Sequence, residues 1–385
     1  MAQDGLSDLV IVGNDHSTRE DLVCLSKTCS SFLDATRDLV ANWIAVIRTE
    51  EDTHRLATKI RSDLRFAQRV REVRVMPLEQ GILPAAVQMD IVNVVVQLPE
   101  LVTLRLFVQY SVLLDQLSTR HLPQLKCLGI SDIAPFYAFL QHNPHIEELE
   151  VPDDTRLHSS TTTLPSVRVL TCSVSVLSNL TAGIRVNLWT PPPLHTYRSR
   201  APCGALTHLH LTRTLCCTLV DVLITLGPQL VGLRMTEPPP FGSITEEVFP
   251  FSLVILYAPR LRYLECELRE SQRWRVRSWP PKLELDSPAV RDRASVPARE
   301  AGEPLTVAWC LSDALGVALK AGELHGFRRR CEARALALLR SEASRVGCVL
   351  YGRGVPTEKA TLSKRGRRLV KERLTDVRRD RWKTA

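Results

Sequence analysis

A short phrase recurs along most of this chain: a proline, then apolar residues spaced as Φ-x-x-Φ-x-Φ. Its fullest copy is Pro123-Gln-Leu125-Lys-Cys-Leu128-Gly-Ile130. Pro99 leads into Leu101, Leu104 and Leu106, and Pro144 into Ile146, Leu149 and Val151. Pro165 leads into Val167, Leu170 and Cys172, Pro228 into Leu230, Leu233 and Met235, and Pro259 into Leu261, Leu264 and Cys266. Gly204 opens a copy at Leu206, Leu209 and Leu211, and Val70, Val73 and Val75 form a first, degenerate one.

The first apolar positions fall at 70, 101, 125, 146, 167, 206, 230 and 261, so the steps are 31, 24, 21, 21, 39, 24 and 31. Units of ~20–29 residues are those of leucine-rich repeats, and longer steps carry insertions. The Φ-x-Φ ending predicts a short strand whose alternate side chains face opposite ways. One such unit can bury its apolar side only by stacking on its neighbours. The expected fold is therefore α/β: a leucine-rich-repeat solenoid over 70–267, a curved parallel sheet with outer helices. Return helices are expected at 91–98, 134–141 and 215–226. Leu104, Leu128, Leu149, Leu170, Leu209, Leu233 and Leu264 should stack as an internal ladder. The residue between the last two apolar positions then faces the concave, solvent side. That picks out Arg74, Arg105, Gly129, Glu150, Thr171, His210, Arg234 and Glu265 as a candidate target-binding row, mixed in charge and suited to a protein partner.

The net charge of +8 is unevenly placed. Residues 1–267 hold 23 Lys and Arg against 28 Asp and Glu, whereas residues 268–385 hold 27 against 14. The repeats are mildly acidic and the remainder is strongly basic, so the two are different materials. Residues 269–301 read as a linker, with Trp274 and Trp279 as anchors and an edge strand at Leu283-Glu-Leu285. Helices are expected at 309–320 and 323–346, the second with Leu324, Phe327, Cys331, Ala335 and Leu338 on one face. From Tyr351 the chain is basic and poor in apolar residues, which predicts a disordered end. Two proline-rich stretches, 190–203 and 236–242, read as loops leaving the solenoid.

Residues 6–47 precede the repeats and read as helices. Ser17-Thr-Arg-Glu20 is a capping box, followed by Leu22, Leu25, Cys29, Phe32 and Leu33 at helical spacing. A second run ends with Leu39, Trp43, Ile44 and Ile47. A linking helix over 48–69 carries Leu56, Ile60 and Leu64 on one side, with Ala67 continuing the stripe. Pattern alone leaves the first helices as a cap on the repeats, which solenoids need.

The stretch Leu22-Val-Cys-Leu25-Ser-Lys-Thr-Cys29-Ser-Ser-Phe32-Leu33 resembles the second half of an F-box. The next segment, Glu51-Asp-Thr-His54-Arg55-Leu56 to Val73-Arg74-Val75, is similar to the one after the F-box in fungal F-box-like proteins with leucine-rich repeats. The usual leucine-proline opening is replaced here by Leu6-Ser-Asp-Leu9-Val-Ile-Val12. The resemblance implies that 6–47 is an F-box-like segment binding a Skp-type adaptor of a cullin ubiquitin ligase. Leu22, Leu25, Cys29, Phe32 and Leu33 would be the adaptor contacts, and the repeats would hold a protein target.

Chemistry of other kinds has little support. The sequence holds no G-x-S-x-G, no H-E-x-x-H and no Gly-rich phosphate loop, so no enzyme and no cofactor is expected. Its 11 cysteines include no C-x-x-C and read as reduced core thiols rather than disulfides or metal ligands. His142 and His145 straddle Pro144, which separates them, and His208 and His210 should be a surface pair on one strand face. The first residues carry no basic start or apolar core of a signal peptide, and no stretch is apolar enough to span a membrane. A cytoplasmic or nuclear setting is expected. The alternative to a ligase receptor is a repeat scaffold whose basic tail contacts nucleic acid or serves nuclear import.

Overall fold

Seven of the eight Φ-x-Φ endings lie wholly on strands, and the eighth, Leu149 to Val151, leaves its strand after Glu150. The computed structural model describes residues 43–76, 83–106, 111–131, 136–151, 166–173, 177, 205–212, 216–236, 248–249, 251–280, 282–283, 304–340, 346–363, 368–374 and 381–383. The chain forms two units, Met1–Ser160 and Thr161–Ala385.

In the first unit, β1 (Trp43–Ile47), β2 (Val70–Val75), β3 (Thr103–Leu106), β4 (Cys127–Ile130) and β5 (Glu148–Glu150) pair in that order, all parallel. Equivalent repeat positions are direct partners: Val73 faces Leu104, Leu104 faces Leu128, and Leu128 faces Leu149. All four are buried. The helices are α1 (Glu50–Ser62), α2 (Leu64–Arg69), α3 (Ala85–Val96), α4 (Ser111–Ser118) and α5 (Tyr137–His142). Successive repeats are tied by a forked backbone bond. Lys126 and Cys127 N–H both donate to the Val102 carbonyl (2.8 and 3.0 Å), and Glu147 and Glu148 N–H to that of Lys126 (2.9 and 3.0 Å). A buried asparagine closes the turn before β5. Asn143 Oδ1 accepts from Leu122 N–H at 2.8 Å, and its Nδ2 donates to the carbonyls of Arg120 and Phe139, each at 2.9 Å.

Two expectations fail here. The helical run ending at Ile47 is a strand at Trp43–Ile47, adding a fifth member to the sheet ahead of the first repeat. Its Trp-Ile-Ala-Val-Ile sequence is aromatic and β-branched, and Ala45 and Ile47 alternate into the core. The linking helix is two helices. Asp63 ends α1 and caps α2 by accepting from Phe66 N–H at 3.0 Å. That restart shifts the phase, so Phe66 and Ala67 are buried while Leu64 is 77% exposed. α1 itself starts at a capping box, Thr49 with Asp52.

In the second unit, β6 (Val169–Cys172), β7 (His208–Leu211), β8 (Gly232–Thr236), β10 (Tyr263–Leu268), β12 (Leu305–Leu311) and β13 (Val346–Arg353) pair in parallel. Two antiparallel strands, β14 (Val355–Leu362) and β15 (Leu369–Arg373), extend the edge. Gly354, with φ +68°, makes the turn between β13 and β14, which a side chain would strain. A separate pair joins β9 (Val248–Phe249) to β11 (Lys282–Leu283), where the sequence suggests an edge strand. The helices are α6 (Cys216–Leu226), α7 (Phe251–Tyr257), α8 (Asp313–Ala318) and α9 (Ala321–Arg340), with 3-10 turns at Gly227–Gln229, Glu270–Arg277 and Arg381–Lys383. Within this unit too, equivalent positions are partners: Leu170 with Leu209, Leu209 with Leu233, Leu233 with Leu264. The forked bond recurs here as well, from Thr207 and His208 to Arg168, Val231 and Gly232 to Thr207, and Arg262 and Tyr263 to Val231.

The region after residue 268 is where sequence and structure differ most. The expected helix over 309–320 is split: Leu305–Leu311 is a sheet strand and only Asp313–Ala318 is helical. Buried on both faces, β12 is a continuous apolar run that periodicity cannot tell from a helix. The expected disordered end is instead β13 to β15. Its charged residues suit an antiparallel edge, where they pair across strands; Lys359 lies opposite Glu372 and their charges approach to 3.4 Å. Along α9, Phe327, Cys331, Ala335 and Leu338 are buried as the helical spacing requires. Arg330 of α9 holds the preceding turn, donating to the carbonyls of Val276 (2.6 Å) and Trp279 (3.0 Å).

Candidate functional site

In the first unit the between-positions line up as the repeat geometry requires: Arg74 faces Arg105, Arg105 faces Gly129, and Gly129 faces Glu150. Arg105 Nε reaches across the bare Gly129 to Glu150 Oε2, two strands away, at 2.9 Å. Its Nη1 also contacts Glu72, which accepts from Arg74 Nε at 2.7 Å. Burial works against the Arg105 charge, but Glu150 and Glu72 outweigh it and raise its pKa. Glu150 is 40% and Arg105 28% exposed, so this is a half-open strip of alternating charge. Glu72 is not among the residues that the repeat phrase picks out. It lies two residues before Arg74 on the same strand, so strand period alone places it on this face.

The second unit carries the same row with a different fate. Thr171 faces His210, His210 faces Arg234, and Arg234 faces Glu265. Here the expected solvent face is closed. Arg234 and Glu265 are buried; Arg234 Nη2 donates to Glu267 Oε2 at 2.7 Å, and its Nε lies 3.1 Å from Glu265 Oε1. Tyr263 OH donates to the other Glu265 oxygen at 2.9 Å. Burial opposes ionisation of Arg234, yet Glu265 and Glu267 more than compensate and push its pKa up. Burial and Glu265 likewise hold Tyr263 as a neutral phenol.

The cover is Trp382. Its ring meets that of His210 at 5.7 Å and that of His208 at 6.2 Å, both edge-on. It packs with Tyr263, Ala308 and Leu350, against which Val169, Cys348 and Leu374 also rest. Gly232 is the floor: a Cβ there would sit 2.3 Å from the Trp382 carbonyl oxygen and 2.4 Å from the His208 ring. His210 Nε2 is 2.8 Å from Thr236 Oγ1. Burial, then the charges of Arg234, Arg269 and Lys383, hold its pKa well below the ordinary value, so it is neutral. The histidine pair is therefore not the surface pair that alternation suggests. Nothing in the sequence near residue 210 points to a residue 172 positions later.

No family model matches this chain, and no curated protein does so either. The site is accordingly defined by its geometry. The adaptor contacts suggested by the F-box resemblance, Leu22, Leu25, Cys29, Phe32 and Leu33, lie outside the described residues. Of the candidate row, the structure brings Arg74, Arg105 and Glu150 together in one unit and His210, Arg234 and Glu265 in the other.

Other groups are structural. His145 Nε2 donates to the Leu122 carbonyl and His142 Nδ1 to that of Ala138, each at 2.8 Å, so both bind backbone rather than each other. Among the described residues there is no cluster of three or more His, Cys, Asp or Glu able to hold a metal ion, and no helix is long and apolar enough to cross a membrane. Burial pushes the Cys266 and Cys310 thiols up, as unreactive core positions require. A cavity of about 610 Å³ lies among α9 and β13 to β15, lined by Phe327, Arg328, Tyr351, Glu358, Lys371 and Arg373. Arg328 there approaches Glu358 at 3.5 Å, and Lys371 approaches Glu332 at 2.9 Å.

Proposed function

We propose that this chain is the target-recognition subunit of a cullin-type ubiquitin ligase, built on a leucine-rich-repeat solenoid. Strands at the repeat positions, in register within each unit and tied at five junctions by the same forked bond, support the solenoid reading. The N-terminal segment would hold a Skp-type adaptor through Leu22, Leu25, Cys29, Phe32 and Leu33. The repeats would hold the target, and catalysis would belong to the ligase partners, so this chain acts by positioning rather than as an enzyme.

The observation that carries target binding is the strip Glu72–Arg74–Arg105–Glu150. Its charges are fixed by neighbouring strands; Arg105 and Glu150 are part-exposed, whereas Glu72 and Arg74 are only 14% and 15% exposed and hold them in place. A preset pattern of both signs favours a protein surface of complementary charge over a polyanion, which an unbroken basic stripe would suit. Nucleic-acid contact by the basic end, the alternative reading, would rest on the clusters at 364–368 and 378–381, of which only 368 and 381 are among the described residues.

Co-precipitation of the Skp adaptor with the full chain tests the reading. Wild type should retain the adaptor, and Leu25→Ala with Phe32→Ala should lose it, since interface anchors contribute about 1–4 kcal/mol each. Equal retention by both, or none by wild type, removes the ligase role and leaves the repeat scaffold.

A further inference from the structure

We propose that the outer edge of β15 takes up an extended acidic segment of a partner protein as a further antiparallel strand. Among the described residues β15 pairs with β14 and with no other strand. The bonds of this hairpin locate the free backbone groups. Ser363 N–H donates to the Arg368 carbonyl at 2.8 Å, and Leu374 N–H to that of Thr357 at 2.9 Å. Antiparallel bonding alternates along a strand. Val370 and Glu372, opposite Thr361 and Lys359, therefore turn their N–H and C=O toward β14. Those of Leu369, Lys371 and Arg373 point the other way, a row of unpaired donors and acceptors. Val370, Lys371, Glu372 and Arg373 are exposed, which leaves the row open to a partner.

The side chains at this edge select the partner. Lys371 lies opposite Ala360, which lies opposite Val349; Arg373 lies opposite Glu358, which lies opposite Tyr351. Both cations thus share the face that α9 covers with Arg328 and Glu332. The cavity on that face sets Arg328, Arg353, Lys371 and Arg373 against two carboxylates, Glu358 and Glu372. Arg328 meets Glu358, Lys371 meets Glu332 and Lys359 meets Glu372, which leaves Arg353 and Arg373 without an ion pair among the described residues. In an added antiparallel strand, the residues opposite Lys371 and Arg373 exchange both backbone bonds with them. Carboxylates at those alternate positions are the favourable cross-strand partners, and the neighbouring cavity receives them as pockets do in strand addition generally. A second copy of β15 fits badly, because its outward residues would set cation against cation. A polyanion neutralises the same cations but supplies no alternating N–H and C=O groups.

This surface lies apart from the repeat strip and needs no ligase role, so either reading can fail alone. The probe is a synthetic peptide of alternating threonine and glutamate, titrated calorimetrically into the full chain. It should bind saturably, and amide exchange at Lys371 and Arg373 should slow. A peptide N-methylated at every glutamate keeps the charge but loses the donors that face β15, so it should bind about ten-fold or more weakly. Equal binding of the two peptides, or edge amides that exchange as before, overturns the proposal, because charge alone would then hold the peptide. Lys371→Pro removes one outward N–H, which an edge strand tolerates, and should weaken binding beyond Lys371→Ala; equal losses overturn strand addition. Should the proline variant fail to fold, Lys371→Glu with Arg373→Glu decides. That chain should lose the acidic peptide and take up its lysine counterpart, and an unchanged preference overturns the proposal. Tighter binding of single-stranded oligothymidylate, or a concentration-dependent dimer that protects the same amides, assigns the edge to another occupant and overturns it too.

Discussion

The two units use one repeat rule and reach opposite surfaces. In the first, the row Arg74, Arg105, Gly129 and Glu150 stays half-open, and its ions are spread over three strands and bridged across a glycine. In the second, an indole covers His210 of the row Thr171, His210, Arg234 and Glu265, and the ions Arg234, Glu265 and Glu267 are packed into a buried cluster. The strand register is the same, so the difference does not come from the repeats. It comes from a terminal turn far away in sequence. The same alternation of inward and outward residues can make a binding face or a second core, depending on what arrives to cover it.

The sharpest way to break this comparison is to remove the central arginine of each row. Arg234→Ala takes away the guanidinium that Glu265 and Glu267 share in the interior and should destabilise the second unit by about 3–5 kcal/mol. Arg105→Ala takes one partner from a half-exposed network and should cost only about 0–1 kcal/mol. Urea titration of both variants decides the matter; equal losses would mean that the rows are energetically alike.

A smaller effect is expected from Gly232→Ala. The new methyl would collide with the Trp382 carbonyl oxygen and the His208 ring, so overpacking should cost about 1–3 kcal/mol. Amide exchange should speed up around Trp382 while the ladder about Leu128 in the first unit stays protected. Unchanged exchange near residue 382 would show that the turn does not rest on β8.

The smallest effect is a pH slope. Burial, followed by Arg234, Arg269 and Lys383, depresses the His210 pKa, so the folded chain binds this proton less readily than the unfolded chain. Its contribution is complete above the unfolded histidine value of about 6.5 and is lost as pH falls below it. One such group adds at most about 1.4 kcal/mol per pH unit. Chemical denaturation at about pH 7.5 and 5.5 should show this slope in the second unit, and His210→Gln should flatten it. A slope that survives the substitution would assign it to another group.

The sequence by itself determined the repeat: where each strand falls, which leucines meet between strands, and which residues share the opposite face. Those features are local or periodic, and proline, strand alternation and spacing carry them. The buried face of α9 was legible for the same reason. Tertiary structure decided the rest. β12 looked helical because a strand buried on both sides loses its alternation, and β14 and β15 looked disordered because their charges pair only once the strands lie side by side. Leu64 left the apolar stripe because Asp63 restarted the helix one step out of phase. The closing of the second face depends on a tryptophan 172 residues from the histidine it covers. No period links those positions, and only the folded chain, by burying the indole against that face, brings them together.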